Sequence, residues 1–443
     1  MTRWYARYVV FMLILALIVA FLDRQIFTLL IDPIKQDIGI SDFEAGLLMG
    51  LAYGFFFTLM IIPMGWLIDR VNRTYLLTAG MFFWALMTAL CGFAGSFGAM
   101  FVARMGVGIG EASASPLSQS VIGDTVETQK IPAAMGFLHL SQVWGPGLAL
   151  ILGGGAIWLA AHSGAWGLPF SDLAPWRQVF IIVALPGFIL APIMLLTVRV
   201  PQRKRTLASA RAQHEGLRAF WHQNKNFIWR YELSVGCFTA GAVSLTSWMP
   251  SVFVRIFHWP ASSVGGKIGL ITLIFGTVAS IAWGAYSSAQ MKHDRPLAAL
   301  DNLVKLGLIC VVIAPLAPLM PSGDLALIML APYFLISMGW GSMASANVQL
   351  IAPAILRGRI AALYLALGSL TGMILANVGV GFITDYVMRD PLKVHYSLAI
   401  AGSLFWGLGA LGFYSCRKGF AAGLKLRPAD PSPESFTMQA AHA

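Results

Sequence analysis

The stretch RVPQRKRTLASARAQHEGLRAFWHQNK, residues 199–225, is the one long polar segment in the interior of the chain. On either side the sequence is organised as apolar runs, six before it and six after. They fall at about 7–31, 43–68, 74–95, 97–123, 131–161 and 174–198, then at about 228–254, 263–290, 297–318, 325–350, 357–384 and 394–416. Each is near the roughly 20 residues that an α-helix needs to cross a hydrocarbon core about 30 Å thick. The pattern predicts an all-α integral membrane protein with twelve transmembrane helices in two pseudo-symmetric six-helix bundles. The bundles would be residues 1–198 and 228–416, with a cytoplasmic linker at 199–227 and a disordered cytoplasmic tail at 417–443. A short amphipathic helix on the membrane surface is expected within the linker, near Leu217–Trp221.

Composition agrees. Of 443 residues, 58% are hydrophobic and only 11% charged, against about 25% charged in soluble domains. There are too few polar residues to coat a soluble core of this size, so the outer surface is expected to face lipid. The net charge of +11 does not point to nucleic acid, because the basic residues sit in short gaps between apolar runs. If the N-terminus is cytoplasmic, the inner segments collect Arg3, Arg7, Arg70, Arg73, Lys130, the cluster from Arg199 to Arg230, Lys292, Arg295, Arg357, Arg359, Arg417, Lys418, Lys425 and Arg427. The outer segments keep Lys35, Arg177, Arg255, Lys267, Arg389 and Lys393. That bias predicts a multi-pass protein of a bacterial inner membrane with both termini in the cytoplasm. The first run lacks a small-residue cleavage site and is interrupted by Asp23-Arg24, so it reads as a retained helix. Cys91, Cys237, Cys310 and Cys416 lie in or beside apolar runs without metal-type spacing and are expected as free thiols.

An ionisable side chain inside a bilayer costs about 2.5–3.5 kcal/mol on insertion scales, so it usually has a function and a partner. The candidates are Asp23 and Arg24 in the first run, Arg104 and Glu111 in the fourth, His139 in the fifth and Lys305 in the ninth. At 1.5 Å per residue, Asp23 lies roughly 22 Å from the inner edge and Arg104 roughly 10 Å below the outer edge, nearly one level. They are expected to pair, for substrate binding or simply to fix helix packing. Glu111 follows Arg104 by seven residues, on the same helix face and about 10 Å further inward, at a depth similar to His139. A carboxylate in such a cavity can take up a proton, and losing its charge would change which conformation the cavity prefers. A structural tie between Glu111 and backbone or His139 is the alternative. Lys305 lies four residues after Asp301, so an intrahelical pair or snorkelling accounts for it. With no comparable group seen in the second half, coupling is expected in the first and fourth helices.

Gly106-x-Gly108-x-Gly110 and Gly145-Pro146-Gly147 mark close helix packing and a bend. The aromatic runs Phe55–Phe57 and Phe82–Trp84 are expected on lipid-facing or packing surfaces. No nucleotide-binding loop, metal-ligand cluster or nucleophile constellation is seen, so neither an enzyme nor a cofactor is expected. A filter-like repeat or ring of charges, which a channel would show, is also missing.

Gly65-Trp-Leu67-Ile-Asp69-Arg70-Val-Asn72-Arg73 resembles the loop signature between helices 2 and 3 of the major facilitator superfamily, with Asn72 where Gly is usual. Arg104 with Gly108, Gly145-Pro146-Gly147 and Trp176-Arg177 resemble further signatures of that family. Asp23-Arg24, Asp69-Arg70-x-Asn72-Arg73, Arg104-x-Gly106-Val-Gly108-x-Gly110-Glu111-Ala112-Ser113 and Trp248-Met-Pro250 together are similar to the spinster-like branch. That resemblance implies a transporter of lysophospholipids or sphingosine-1-phosphate-like molecules. It assigns Asp23, Arg104 and Glu111 to substrate binding and proton coupling, and the Gly65, Asp69, Arg70 and Arg73 segment to the inner gate. The anion:cation symporter branch shares Asp-Arg in helix 1 and Glu-Ala in helix 4. The expectation is therefore a monomeric secondary transporter working by alternating access, probing protons and an amphipathic anion at its centre and lipid at its surface. A proton-coupled symporter of small organic anions is the alternative.

Overall fold

The structure, a computed structural model, describes residues 3–68, 70–126, 131–166, 170–200, 207–291, 297–351 and 357–425. It contains the twelve expected helices. α1 is Arg3–Ile38. α2 runs through Asp42–Leu47, a π-helical stretch Leu48–Phe55 and Phe56–Ile68. α3 is Arg73–Cys91. α4 is Phe97–Glu111, continued after a two-residue break by Ala114–Thr125. α5 is Ile131–Ala161 and α6 is Pro175–Thr197. In the second half α7 is Leu207–Arg255, α8 Ala261–Met291 and α9 Ala298–Ile313. α10 comprises Gly323–Ser337 and Trp340–Ile351, and α11 comprises Arg357–Phe382 with a π-helical end Ile383–Met388. α12 is Val394–Ser415, and a short α13, Arg417–Lys425, follows.

Among the described residues, nine of these helices are long and apolar enough to cross a membrane unbroken. The other three are α4 and α10, each interrupted near its middle, and α9, of 16 residues. Local chemistry sets several starts. Ser41 and Glu44 form a reciprocal cap at the head of α2, while Asn72 and Ser96 cap α3 and α4. Each satisfies amides that the first helical turn leaves without intrahelical partners.

The ends of the chain's two bundles depart from expectation. The separate surface helix near Leu217–Trp221 is not formed. From Leu207 the linker is already helical and runs into α7 without a break, 49 residues in all. The expected disordered tail 417–443 begins as α13, whose Phe420 is fully buried and stacks near Phe227 of α7. Residues 426–443 lie outside the described residues. All four cysteines are buried and free.

The bundles meet along two seams. α5 packs on α8 and α2 packs on α11. Both seams bring backbone onto backbone: a Cβ on Gly147 would lie 2.9 Å from the Gly269 carbonyl oxygen, and one on Gly46 2.4 Å from that of Asn377. On the face opposite the N-terminus, charges tie the halves together. Arg255, at the end of α7, reaches Asp32 of α1 at 2.5 Å and both oxygens of Asp42 of α2 at 2.7 and 2.9 Å. Lys35 also pairs with Asp42, and Asp385 of α11 accepts from the Phe43 amide at 2.6 Å.

Candidate functional site

Four charged side chains converge between α1, α2 and α4. Glu111 ends the first segment of α4 and is 2% exposed. Its Oε2 accepts from the Tyr53 hydroxyl at 2.6 Å and lies 3.2 Å from Arg24 Nη2. Arg104, two turns earlier and equally buried, donates from Nη1 to the main-chain oxygen of Asp23 at 3.3 Å. The two guanidinium groups face the same aromatic ring: Arg24 lies 4.8 Å and Arg104 5.3 Å from the centroid of Tyr53. Phe21 and Phe57 flank Arg24, and Phe27 lies 4.7 Å from Arg104. Rings so placed attract cations through their negative faces and exclude water from the rest of the group.

The pairing differs from the sequence expectation. The carboxylate partner of a guanidinium is Glu111 with Arg24, whereas Arg104 takes the Asp23 carbonyl instead of its carboxylate. The Asp23 carboxyl lies on the side of Trp84 and Thr88 of α3. Among the described residues, Asp23 Oδ1, Arg24 Nε, Arg104 Nε and Glu111 Oε1 are buried without a hydrogen-bond partner. Unsatisfied charged atoms of this kind are costly in a low-dielectric interior. Two cations and two anions leave the cluster formally balanced, with donors and acceptors in reserve.

Packing of α4 puts these groups together. A Cβ on Gly108 would come 2.5 Å from the Tyr53 carbonyl oxygen, and one on Gly110 2.7 Å from Trp84 Cβ. These glycines let α4 lie directly on α2 and α3. The π-helical stretch widens α2 at Leu48–Phe55, and Tyr53 within it faces the charges. Such local widenings often occur at functional sites.

The remaining sequence candidates are more scattered. His139 is on α5, with its side chain outside the described residues. Gly145 presses on the Phe21 ring, where a Cβ would meet Cδ2 at 2.2 Å, Pro146 lies inside α5, and Gly147 forms part of the α5–α8 seam. Among the described residues nothing lies within 4 Å of the would-be Cβ of Gly65, so none of them makes a close contact that requires glycine there. Asp69 lies outside the described residues, and Arg70 is exposed. Arg73 is buried and donates to Ser120 Oγ at 2.9 Å and to the Ser120 carbonyl at 3.2 Å, tying α3 to the end of α4. The Asp301–Lys305 pair is not formed, because Asp301 is taken by Arg417 at 3.0 Å.

Sequence reasoning missed Tyr53, Phe57 and Trp84. The last two belong to runs read as lipid-facing or packing surfaces; they are packing residues, Trp84 fully buried and Phe57 stacked on Tyr53, but their place at the charge cluster was not read. It also missed Glu232, a buried carboxylate in α7 whose Oε2 has no partner among the described residues. The second half is therefore not empty of ionisable groups. The signal for Tyr53 was its place between Gly50 and Gly54 on an otherwise apolar run; for Glu232 it was a lone acid just inside the seventh run.

Comparison with known proteins gives a consistent picture. A family model described as Major Facilitator Superfamily matches residues 13–376. An MFS-type efflux pump of Mycolicibacterium smegmatis is 25% identical over 84% of this chain and 82% of its own. A probable L-galactonate transporter of Escherichia coli K12 is 25% identical over 68% of this chain and 65% of its own. The sphingosine-1-phosphate transporter of Mus musculus is 24% identical over 90% of this chain and 76% of its own. Among solved structures, a bacterial homologue of the human lysosomal transporter Spinster, in an inward-facing and unoccupied conformation, shares the fold with a TM-score of 0.79 at 20% identity, over 98% of this chain and all of that one.

Proposed function

The chain belongs to the major facilitator superfamily, a family of transporters and not of enzymes, and on that premise we propose that it is a proton-coupled carrier of an amphipathic anionic lipid, such as a lysophospholipid or a sphingosine-1-phosphate-like molecule. One observation carries this reading: two guanidinium groups, Arg104 buried and Arg24 partly buried, each with an Nε–H that has no partner among the described residues, lie among Phe21, Phe27, Tyr53 and Phe57. Guanidinium nitrogens suit a phosphate oxyanion, and the aromatic surroundings suit an acyl or sphingoid chain. Similarity to the mouse sphingosine-1-phosphate transporter supports the substrate class.

Coupling follows from the shared oxygen. While Glu111 is ionised it holds Arg24. A proton on Glu111 cancels that attraction and frees the guanidinium for the substrate's head group. Proton and substrate thus occupy linked sites, as linkage between two binding equilibria requires. Residues 1–198 and 228–416 would move as two bodies about the central site, with Asp69, Arg70 and Arg73 at the inner gate, His139 beside the cavity and the N-terminal face in the cytoplasm of a plasma membrane. A monomer suffices for this cycle.

A symporter of small organic anions is the second reading, supported by the similarity to the L-galactonate transporter and by the same two arginines. Proteoliposomes under an imposed proton gradient separate the two. Uptake of labelled lysophospholipid that other lysolipids compete away, and a short sugar acid does not, supports the lipid reading. Competition by the sugar acid alone overturns it in favour of the second.

A further inference from the structure

Lys305 remains unexplained by the transport site. It is seven residues into α9, about 10 Å along the helix axis, and its side chain is exposed on the outer surface of the bundle. Among the described residues no carboxylate pairs with it: the acid one turn earlier, Asp301, is bound to Arg417 of α13. A lone ammonium at this depth calls for an anion from its surroundings.

The surface beside it is shaped. Ala282, Trp283 and Tyr286 of α8 and Asn302, Lys305 and Ile309 of α9 enclose a groove of about 380 Å³. The Trp283 indole N–H donates to the Leu335 carbonyl at 3.0 Å, and its ring meets Tyr286 edge-on at 5.8 Å, which fixes one wall. Asn302 donates to Gln290 at 3.0 Å, which fixes the other. Towards the membrane centre the surface continues through exposed Ile281, Leu308 and Val312. Cation and tyrosine hydroxyl therefore sit at the shallow end and an apolar track at the deep end. Trp and Tyr at such a level are typical of the membrane–water interface, and basic pockets between transmembrane helices bind acidic lipid head groups.

We infer that the α8–α9 groove is a binding site for one diacyl glycerophospholipid with a net negative head group, its phosphate on Lys305 and its acyl chain along Ile309 and Val312. This site faces the surrounding bilayer and is separate from the transport site, so it stands whichever substrate the carrier moves.

The test uses the full-length protein in detergent, with dioleoyl phosphatidylglycerol and dioleoyl phosphatidylcholine as probes, and reads retained lipid by native mass spectrometry and thermal unfolding. The unmodified chain is expected to retain phosphatidylglycerol at least fivefold over phosphatidylcholine and to unfold at higher temperature with it. Lys305→Gln should bring that ratio near one, Lys305→Arg should keep it, and Ala282→Trp, which fills the groove from a lipid-exposed position, should reduce retention of phosphatidylglycerol with the charge intact. An unchanged ratio in both Lys305→Gln and Ala282→Trp overturns the proposal. So does equal stabilisation by soluble glycerol phosphate, which would mark a plain anion site.

Discussion

Arg255 grips Asp42 with two guanidinium nitrogens, at 2.9 and 2.7 Å, across the junction of the two bundles. Asp42 is fully buried and Arg255 nearly so. Removing one partner of a buried ion pair costs about 3–5 kcal/mol where the other charge is left stranded; Lys35 stays paired with Asp42, so the lower figure is the upper bound here. Arg255→Gln should therefore shift the protein towards conformations open on this face. At that bound the population ratio changes by roughly a hundredfold. Spin labels at the far ends of α1 and α7 should report a longer distance in the variant; an unchanged distribution would show that the clasp does not hold the two halves.

Glu111→Gln keeps the shape and the ability to accept from Tyr53 but can no longer exchange a proton. Uphill accumulation driven by a proton gradient should fall at least tenfold. Substrate counterflow without a gradient should persist. Loss of both would reduce Glu111 to a packing residue, and retention of both would remove it from coupling.

Arg104→Lys keeps the charge and gives up the planar group that spans Phe27, Tyr53 and the Asp23 carbonyl. An ammonium is a compact, strongly hydrated point charge and does not replace a stacked guanidinium. KM for the anionic substrate should rise about tenfold, equivalent to roughly 1.4 kcal/mol. Concentration-dependent uptake measures it.

Gly108→Ala would place a methyl group 2.5 Å from the Tyr53 carbonyl oxygen. Backbone cannot swing aside as a side chain can, so α4 must separate from α2. Overpacking of this kind costs about 1–3 kcal/mol. The purified variant should unfold at lower temperature, and the displacement should weaken transport by loosening the Tyr53–Glu111 hydrogen bond. Gly98→Ala, at an exposed position of α4 with nothing described within 4 Å of its would-be Cβ, is the matched control and should do neither.

The helices were legible because hydropathy and length suffice for them: each run in the sequence has its helix within several residues, apart from the long α7. Depth was legible too. Counting 1.5 Å per residue brought Asp23 and Arg104 to one level and set Glu111 about 10 Å further inward. Which acid meets which base was not. Asp23 and Arg24 are consecutive, so they point about 100° apart around α1, and only the rotation of α1 against α4 decides which faces Glu111. That rotation is set by contacts at Gly108 and Gly110 that involve other helices. Tyr53 was hidden for a related reason. A π-helical stretch changes the angular register of α2, so a face computed at 3.6 residues per turn assigns its side chains wrongly. Glu232 was overlooked because a single acid near the end of a run looks like an interfacial residue until its neighbours are known.

The two seams between the bundles have a mechanical implication. Where Gly147 faces Gly269 and Gly46 faces Asn377, backbone lies on backbone, so at these points one half can change its angle to the other without a side chain of either glycine having to move. At those points the seams behave as plain bearings. Resistance to such a tilt is then set by the side-chain contacts that flank these points, such as Trp144 on Thr277 and Phe43 on Tyr386, and by the ionic clasp of Arg255 with Asp32 and Asp42.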